Sequence, residues 1–540
     1  MKKISGKLDE KLYSRNFTKL GMDLNPVVSL VSALFIFMFS LYALIDVDRA
    51  SQMFESINTF ITSRFDWFFI LTSSFLILVC FILAISKYGK IRIGGFDSKP
   101  EFSNFSWYSM LLSAGMGIGL MFWSVGEPLE HFNNIPPIFE SSNDPVSALA
   151  TTFFHWGIHP WAIYALLGLS LAYFAYNRKL PLSLRSVFYP LFKEKIFGTL
   201  GDIIDIFATL ACLFGLATSL GLGAQQINSG LNYTFNIPVD VVIQVILIGL
   251  ITAIASVSVI SGLDKGVRVL SEWNMRIAFT IIVFLFLIGP TGYIIQLFSN
   301  SLGLYINDFV GSSLFVGEST WQGDWTIFYL AWWISWSPFV GSFIARISKG
   351  RTIREFISAV LIIPAILSFI WIAVFGGTAI FLDSSANGAL YEVVTNQLPV
   401  ALFEMISLLD IPFLQNIIQL VLSIIGTLLI MIFFITSSDS GSLVVNNMTS
   451  GGKENTPTRQ RVFWAVMEGL LAATLLLIGG EQALNALQTA VIATGLPFAL
   501  ILIIMTVVLF KSLKDTYEKQ STIASTNQYK KVRRELDKKE

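Results

Sequence analysis

Charge is scarce in this 540-residue chain: Asp, Glu, Lys and Arg together make up 13 % of it, against 54 % hydrophobic residues. With a mean hydropathy of +0.67, that balance excludes a soluble multi-domain enzyme with ordinary hydrated surfaces. Cysteine is almost missing. The two that occur, Cys80 and Cys212, both fall inside apolar runs, so they read as small packing residues and give no disulfide framework. There is no Gly-x-x-x-x-Gly-Lys-Ser/Thr phosphate loop, no zinc-protease His-Glu motif and no Gly-x-Ser-Gly with a plausible partner, which removes direct ATP drive and membrane-embedded hydrolysis. Residues 1–25 are polar and basic but lack the short apolar core and small-residue cleavage site of a signal peptide, so they read as an uncleaved cytoplasmic tail.

What the chain has in quantity is apolar sequence of spanning length. Such runs lie near 26–47, 67–87, 103–125, 147–176, 202–230, 239–262, 274–297, 325–345, 355–382, 413–437, 462–480 and 488–510. They predict an all-α integral membrane protein with 12 transmembrane helices. The loops test the count independently. Those after spans 2, 4, 6, 8 and 10 are basic, with Lys87, Lys90, Arg92 and Lys99, then Arg178 to Lys195, then Lys265 and Arg268, then Arg346 to Arg354, then Lys453 to Arg461. Those after spans 3, 5, 7, 9 and 11 hold no Lys or Arg, so both termini are expected in the cytoplasm of a bacterial plasma membrane.

The eighth span carries four of the 13 tryptophans. At about 100° per residue, Trp325, Tyr329, Trp332, Trp333 and Trp336 share one arc of about 100°. Pro338 has no amide proton to give the preceding turn, so a weakened helix is expected where the stripe ends. The third span is irregular too, with glycines at 115, 117 and 119 recurring every second residue. Spans 3–7 and 8–12 therefore form two sets of five, each expected to open on an interrupted helix, the arrangement that marks a transporter's central site.

In the fourth span Trp156, Tyr164 and Trp161 sit at about 0°, 80° and 140° and can face one cavity. His155 and His159, one turn apart, have the spacing of a helical metal pair; with no carboxylate or cysteine beside them, polar packing or a gating hydrogen bond is the stronger reading. The tenth span ends in Thr436-Ser437-Ser438-Asp439, hydroxyls suited either to bonding their own backbone or to holding a hard cation. Asp202, Asp205, Asp439 and Glu468 all read as lying toward the inner ends of their spans, so no proton carrier is expected at the midplane.

The fourth span, the Trp-rich segment running on into Ala345-Arg346-Ile-Ser-Lys-Gly-Arg351, the Gly-Met-Gly-Ile-Gly stretch and Thr436-Ser437-Ser438-Asp439 together resemble the betaine/carnitine/choline transporter family, over about residues 20 to 512. The resemblance implies a leucine-transporter-like fold of two inverted five-helix repeats, at 101–297 and 325–512, preceded by two extra helices at 26–100. An extracellular connection would occupy 298–324, and a homotrimer would be the assembly. The function implied is secondary active uptake of a quaternary-ammonium compatible solute, glycine betaine with sodium first, with choline or carnitine transport by proton coupling or exchange as the alternative and a channel behind both.

The family's aromatic box maps onto Trp156, Trp161, Tyr164 and Trp333, with Trp336 on the permeation path; Leu330 stands where some sodium/betaine members carry a further tryptophan. The chemistry agrees, because a quaternary ammonium has no N–H to donate and is recognised by aromatic faces at roughly 0.5–2 kcal/mol each. The substrate carboxylate would face amides at Met116, Gly117 and Gly119, with Gly119 leaving it room. The family's shared sodium site maps onto carbonyls of Ser113, Met116 and Phe433 and the hydroxyls of Thr436 and Ser437. A second site, built on two threonines and a phenylalanine in sodium/betaine members, aligns with Cys212, Leu216 and Phe339, and both hydroxyls are missing here. No cofactor beyond the coupling ion and no nucleic-acid partner is expected. The tail at 513–540 is basic, and such clusters bind anionic lipid headgroups.

Overall fold

The computed structural model of the protein describes residues 12–115, 117–138, 144–261, 264–317, 320–411 and 414–536, and among them the regular structure is helical throughout. The long helices are α1 (Pro26–Ile45), α2 (Val47–Ile85), α3 (Asn104–Gly115), α4 (Ile118–Asn133), α5 (Pro145–Trp156), α6 (Ile158–Ala172), α7 (Thr199–Phe235) and α8 (Val241–Ser261). They continue as α9 (Asp264–Ile288), α10 (Thr291–Asn307), α11 (Phe328–Ile347), α12 (Ile353–Ser385), α13 (Gln415–Thr449), α14 (Thr458–Gly479) and α15 (Ala483–Leu536). Ten spans among the described residues are long and apolar enough to cross a membrane, and two bent pairs, α3 with α4 at 63° and α9 with α10 at 108°, bring the number to 12. The α9–α10 corner falls at Gly289-Pro290, where proline cannot extend the preceding helix. The stretch expected as a mere connection, 298–324, therefore holds the second half of α10 and a short helix, Phe309–Leu314.

The aromatic helix α11 stands at the centre because glycines let three neighbours reach its backbone. A Cβ on Gly168 of α6 would lie 3.1 Å from the Gly341 carbonyl, one on Gly215 of α7 3.2 Å from the Trp336 nitrogen, and one on Gly495 of α15 3.0 Å from the Ala331 carbonyl. Without a hydrophobic drive between helices in lipid, such close approach through small residues is what holds them together.

The interruption expected at Pro338 is not there: α11 runs unbroken from Phe328 to Ile347. The carbonyl that proline leaves without its amide partner belongs to Ile334, and the Ser337 hydroxyl donates to it at 2.7 Å. That bond replaces the missing one and the helix survives. The irregular turn of this span lies instead at its start, a π-helical turn over Gly323–Ile327. The first interruption is real, with Gly117 fully extended (φ −170°, ψ −175°) between α3 and α4. The paired breaks thus reduce to one.

Candidate functional site

Between α4, α5–α6, α11 and α13 lies a cavity of about 360 Å³, within the size range of small-molecule sites. Among its lining residues are Gly117, Gly119, Trp156, Trp161, Tyr164, Trp333 and Trp336, together with Ser113, Phe433, Thr436 and Ser437. Of the residues singled out from the sequence only Met116 lies outside the described residues. Leu120, Asn274, Phe343, Arg346 and Ser368 line it too, unforeseen, and Arg346 carries the cavity toward the end of the bundle where the basic loops are.

The aromatic walls meet at steep angles. Trp156 and Trp333 have centroids 4.9 Å apart and planes at 70°, Trp161 and Tyr164 are 5.4 Å apart at 84°, and Tyr164 and Trp333 6.4 Å apart at 83°. Rings at such angles present faces to a common space, whereas parallel rings would cover each other. Trp332 does cover a neighbour, stacking on Trp333 at 4.8 Å and 13°.

The position of Trp333 follows from a break in the fourth span. Gly157 interrupts it (φ −95°, ψ −127°), and a Cβ there would be 2.5 Å from the Phe153 carbonyl. The break removes the helical partner of the His155 carbonyl, and the Trp333 indole N–H donates to that oxygen at 2.9 Å. A backbone group freed on α5 thus orients a wall supplied by α11.

Gly119 differs from expectation. A Cβ on it would sit 2.5 Å from Trp332 Cη2 and 3.2 Å from Trp156 Cη2, so the space it leaves is taken by indole edges and not by room for a carboxylate. The open side is at Gly117, where nothing lies within 4 Å of an added Cβ and α4 begins with no side-chain cap. Amides of such a first turn are free to meet an anionic group. At the other wall, the Thr436 hydroxyl donates to the Ile432 carbonyl at 2.9 Å and stands 3.2 Å from that of Phe433. Of the residues aligned with a second ion site, Phe339 lines the cavity, Cys212 is buried away from it, and Leu216 packs on Gly441 of α13.

Away from the basic-loop end, the cavity is shut by a buried polar knot that the sequence reading missed. Glu127 is fully buried on α4. One of its oxygens accepts from the Trp156 indole at 2.8 Å and the Tyr329 hydroxyl at 2.5 Å. The other meets His155 Nδ1 at 2.7 Å, while His131 Nε2 stands 3.4 Å away, in electrostatic reach but outside hydrogen-bonding geometry. His155 Nε2 pairs with the Thr326 hydroxyl at 3.0 Å, whereas His159 turns elsewhere, to Ser313 at 2.9 Å. The His155–His159 pair therefore does not converge. Ligand atoms of Glu127, His131 and His155 do, within 4.8 Å of one another, so His155 has the carboxylate neighbour the sequence reading denied it. A signal existed in Glu127 and His131, four residues apart and hence on one helical face. Both lie beyond the apolar run, which ends at residue 125, whereas α4 continues to Asn133. Trp123 packs edge to face with Trp325 and Tyr329 and tilted against Phe328 around this knot, which completes the closure.

Comparison with known proteins gives one family. The model of the betaine/carnitine/choline family transporters matches residues 27–518. Glycine betaine transporter 1 of Vibrio parahaemolyticus is 46 % identical over 509 residues, covering 92 % of this chain and 95 % of the relative. The glycine betaine/proline/choline/ectoine transporter of the same organism is 44 % identical over 516 residues, 94 % of this chain and 90 % of the relative. The probable glycine betaine transporter of Desulfitobacterium hafniense is 40 % identical over 497 residues, with 91 % and 98 % covered.

Proposed function

The chain belongs to the betaine/carnitine/choline transporter family, a multi-pass membrane carrier of quaternary-ammonium solutes and not an enzyme, and from that premise we propose that it is a sodium-coupled glycine betaine symporter serving osmoprotection. The observation that carries the reading is the set of steeply angled aromatic faces, Trp156, Trp161, Tyr164 and Trp333, bordering one cavity. The trimethylammonium group sits among those faces, and the carboxylate turns to the uncapped start of α4 at Gly117. Trp336 flanks the route toward Arg346. Sodium is held by carbonyls at Ser113, Met116 and Phe433 and hydroxyls of Thr436 and Ser437; a hard cation suits that oxygen set. Both termini lie on the cytoplasmic side of a bacterial plasma membrane, in keeping with the basic loops, and the assembly is a homotrimer with the inverted repeats of its family.

Uptake of labelled glycine betaine into proteoliposomes, with and without an inward sodium gradient and against unlabelled choline, carnitine, proline betaine and ectoine, tests the reading. Trp333→Leu keeps an apolar side chain but removes one face and its bond to the His155 carbonyl, and is expected to raise the apparent substrate constant about tenfold for each 1.4 kcal/mol lost. Trp333→Phe is expected to be milder. Unchanged affinity in the leucine variant would sink the box assignment.

The tail is a further part of this reading. Its base is docked: the Tyr173 hydroxyl bonds the Ser512 carbonyl at 2.8 Å and Thr516 Oγ1 at 2.6 Å, and Lys87 Nζ lies 4.9 Å over the Tyr517 ring. Beyond it α15 continues as helix to Leu536. Its Lys and Arg residues bind anionic lipid at roughly 1 kcal/mol each, through forces that salt screens over about 10 Å. Removal of residues 523–540 is expected to spare basal uptake and flatten its activation by osmolality in vesicles containing anionic lipid. An unaltered activation curve would return the tail to a solvated extension.

A further inference from the structure

Glu468 is the eleventh of the 22 residues of α14, so it sits at mid-span and not toward the inner end where the sequence reading put it. Its side chain is fully buried, and neither carboxyl oxygen has a hydrogen-bond partner. Among the described residues every other buried carboxyl is matched: Glu127 by its indole, phenol and imidazole donors, Asp202 and Asp205 by Arg185, Asp383 by the Tyr391 amide, Asp439 by Arg461. A carboxylate without a donor in a low-dielectric interior costs several kcal/mol, so these two oxygens call for a proton or a cation.

The surroundings decide between them. From α7 the buried Cys212 lies within electrostatic reach of Glu468, and from α13 so does Asp439, itself paired with Arg461 at 2.8 Å. Of the other helices packed against α14, α8 and the apolar part of α15 contain no ionisable residue, and α1 contains only the exposed Tyr42. Those of α2 are Cys80, which faces the Ala162 carbonyl, and Asp48, Arg49, Glu55, Arg64 and Asp66 at its solvent end. Sodium wants a shell of hard oxygens, but a thiol and a leucine, Leu216 packed on Gly441, occupy the α7 side. A proton needs only the carboxyl. The turn of α13 that carries Asp439 borders the cavity: Ser437 and Ser440 line it, Asp439 between them faces α14, and the buried Ser438 hydroxyl has no partner.

We propose that Glu468 is a proton-carrying site of the transport cycle, its carboxyl taking one proton from the solution on the solute's entry side and releasing it to the other, so that solute uptake is coupled to protons as well as to sodium. This rests on the reading of the protein as a sodium-coupled betaine carrier. It assigns the work of a second coupling ion to a residue outside the cavity, where Cys212 and Leu216 offer no oxygen.

The test uses the full chain in proteoliposomes loaded with a pH-sensitive dye, voltage clamped with potassium and valinomycin, and labelled glycine betaine. Betaine-dependent internal acidification is expected for the wild-type chain, loss of that signal for Glu468→Gln, and its return in Glu468→Asp, which keeps the acid. Acidification in the glutamine variant equal to wild type overturns the proposal, as does sodium-driven uptake by the wild type with no proton signal, or a drop of sodium stoichiometry in Glu468→Gln in place of a proton effect. If the glutamine variant does not insert, the aspartate variant decides, since transport without acidification there overturns the idea. Uptake driven by a proton gradient but not by sodium would remove the sodium reading while leaving Glu468 supported by loss of that uptake in Glu468→Gln. Uptake under neither gradient would remove both.

Discussion

Replacing Glu127 by leucine is expected to abolish solute uptake and to destabilise the purified protein. The change strips the Trp156 indole, the Tyr329 hydroxyl and His155 Nδ1 of their acceptor inside a dry knot. Each stranded donor costs about 1–3 kcal/mol, and breaking one side of a buried charged network costs about 3–5 kcal/mol. Part of that falls on binding, because Trp156 is a wall of the cavity and Glu127 is what holds its edge. At about 1.4 kcal/mol per decade, a loss of 3 kcal/mol in the binding step alone raises the apparent substrate constant by about two orders of magnitude. The rest falls on closure of the far side, where Tyr329 packs against Trp123 at 5.7 Å. Glu127→Gln keeps an oxygen for Trp156 and Tyr329 and is expected to fall between wild type and leucine, with the apparent constant rising more than the maximal rate falls. The measurements are uptake kinetics and thermal unfolding in detergent, and wild-type kinetics in the leucine variant would show that the knot does not hold the box.

That network also marks where reading the chain stops being enough. The spans were legible because a membrane imposes lengths and loop charges on sequence, and the 12 apolar runs correspond to ten straight spans and two bent pairs. The break at Gly117 was legible from glycines spaced two apart. The smooth passage through Pro338 was not, because it depends on whether Ser337 turns its hydroxyl back to Ile334, a local choice that composition leaves open. Cavity-facing aromatics on α5–α6 and α11 were recoverable from helical angles, since the two helices face each other. What angles could not supply was partnership across helices: the Trp333 bond to the His155 carbonyl joins residues 178 apart in the chain, and the Tyr329 bond to Glu127 residues 202 apart. Gly119 illustrates the same gap, since a missing side chain says that something approaches closely but not whether it is a ligand or, as here, the edge of Trp332.

The other large effect is expected far from the cavity, at Arg185, which the loop count used only as a positive charge. It is fully buried, with Nε 2.5 Å from Asp205 Oδ2 and a terminal nitrogen 2.9 Å from Asp202 Oδ1. Burial works against its charge, but the two carboxylates outweigh that and hold the guanidinium above its usual range. Asp202 is shared: Arg15 reaches its Oδ2 at 2.6 Å and Asn25 donates to its Oδ1 at 3.1 Å, so the N-terminal segment is tied to the start of α7 through the same group. Arg185→Met preserves volume and removes the cation, leaving Asp205 with only the Ser183 hydroxyl and the backbone amide of residue 185. The expected cost is about 3–5 kcal/mol, most of it from the stranded carboxylate rather than from the lost attraction. Arg15→Ala should cost far less, because that side chain is one-third exposed and solvent screens it. A second change, Asp205→Leu in the Arg185→Met background, is expected to restore much of the stability by removing the unpaired charge. Thermal unfolding of the purified variants orders them as wild type, Arg15→Ala, the double variant and Arg185→Met. If Arg185→Met alone unfolds at the wild-type temperature, the cluster is a solvated surface feature and the N-terminal segment is held by Asp23, through Lys453 of the α13–α14 loop and Gln460 of α14, and by Asn25, through the Thr449 carbonyl at the end of α13.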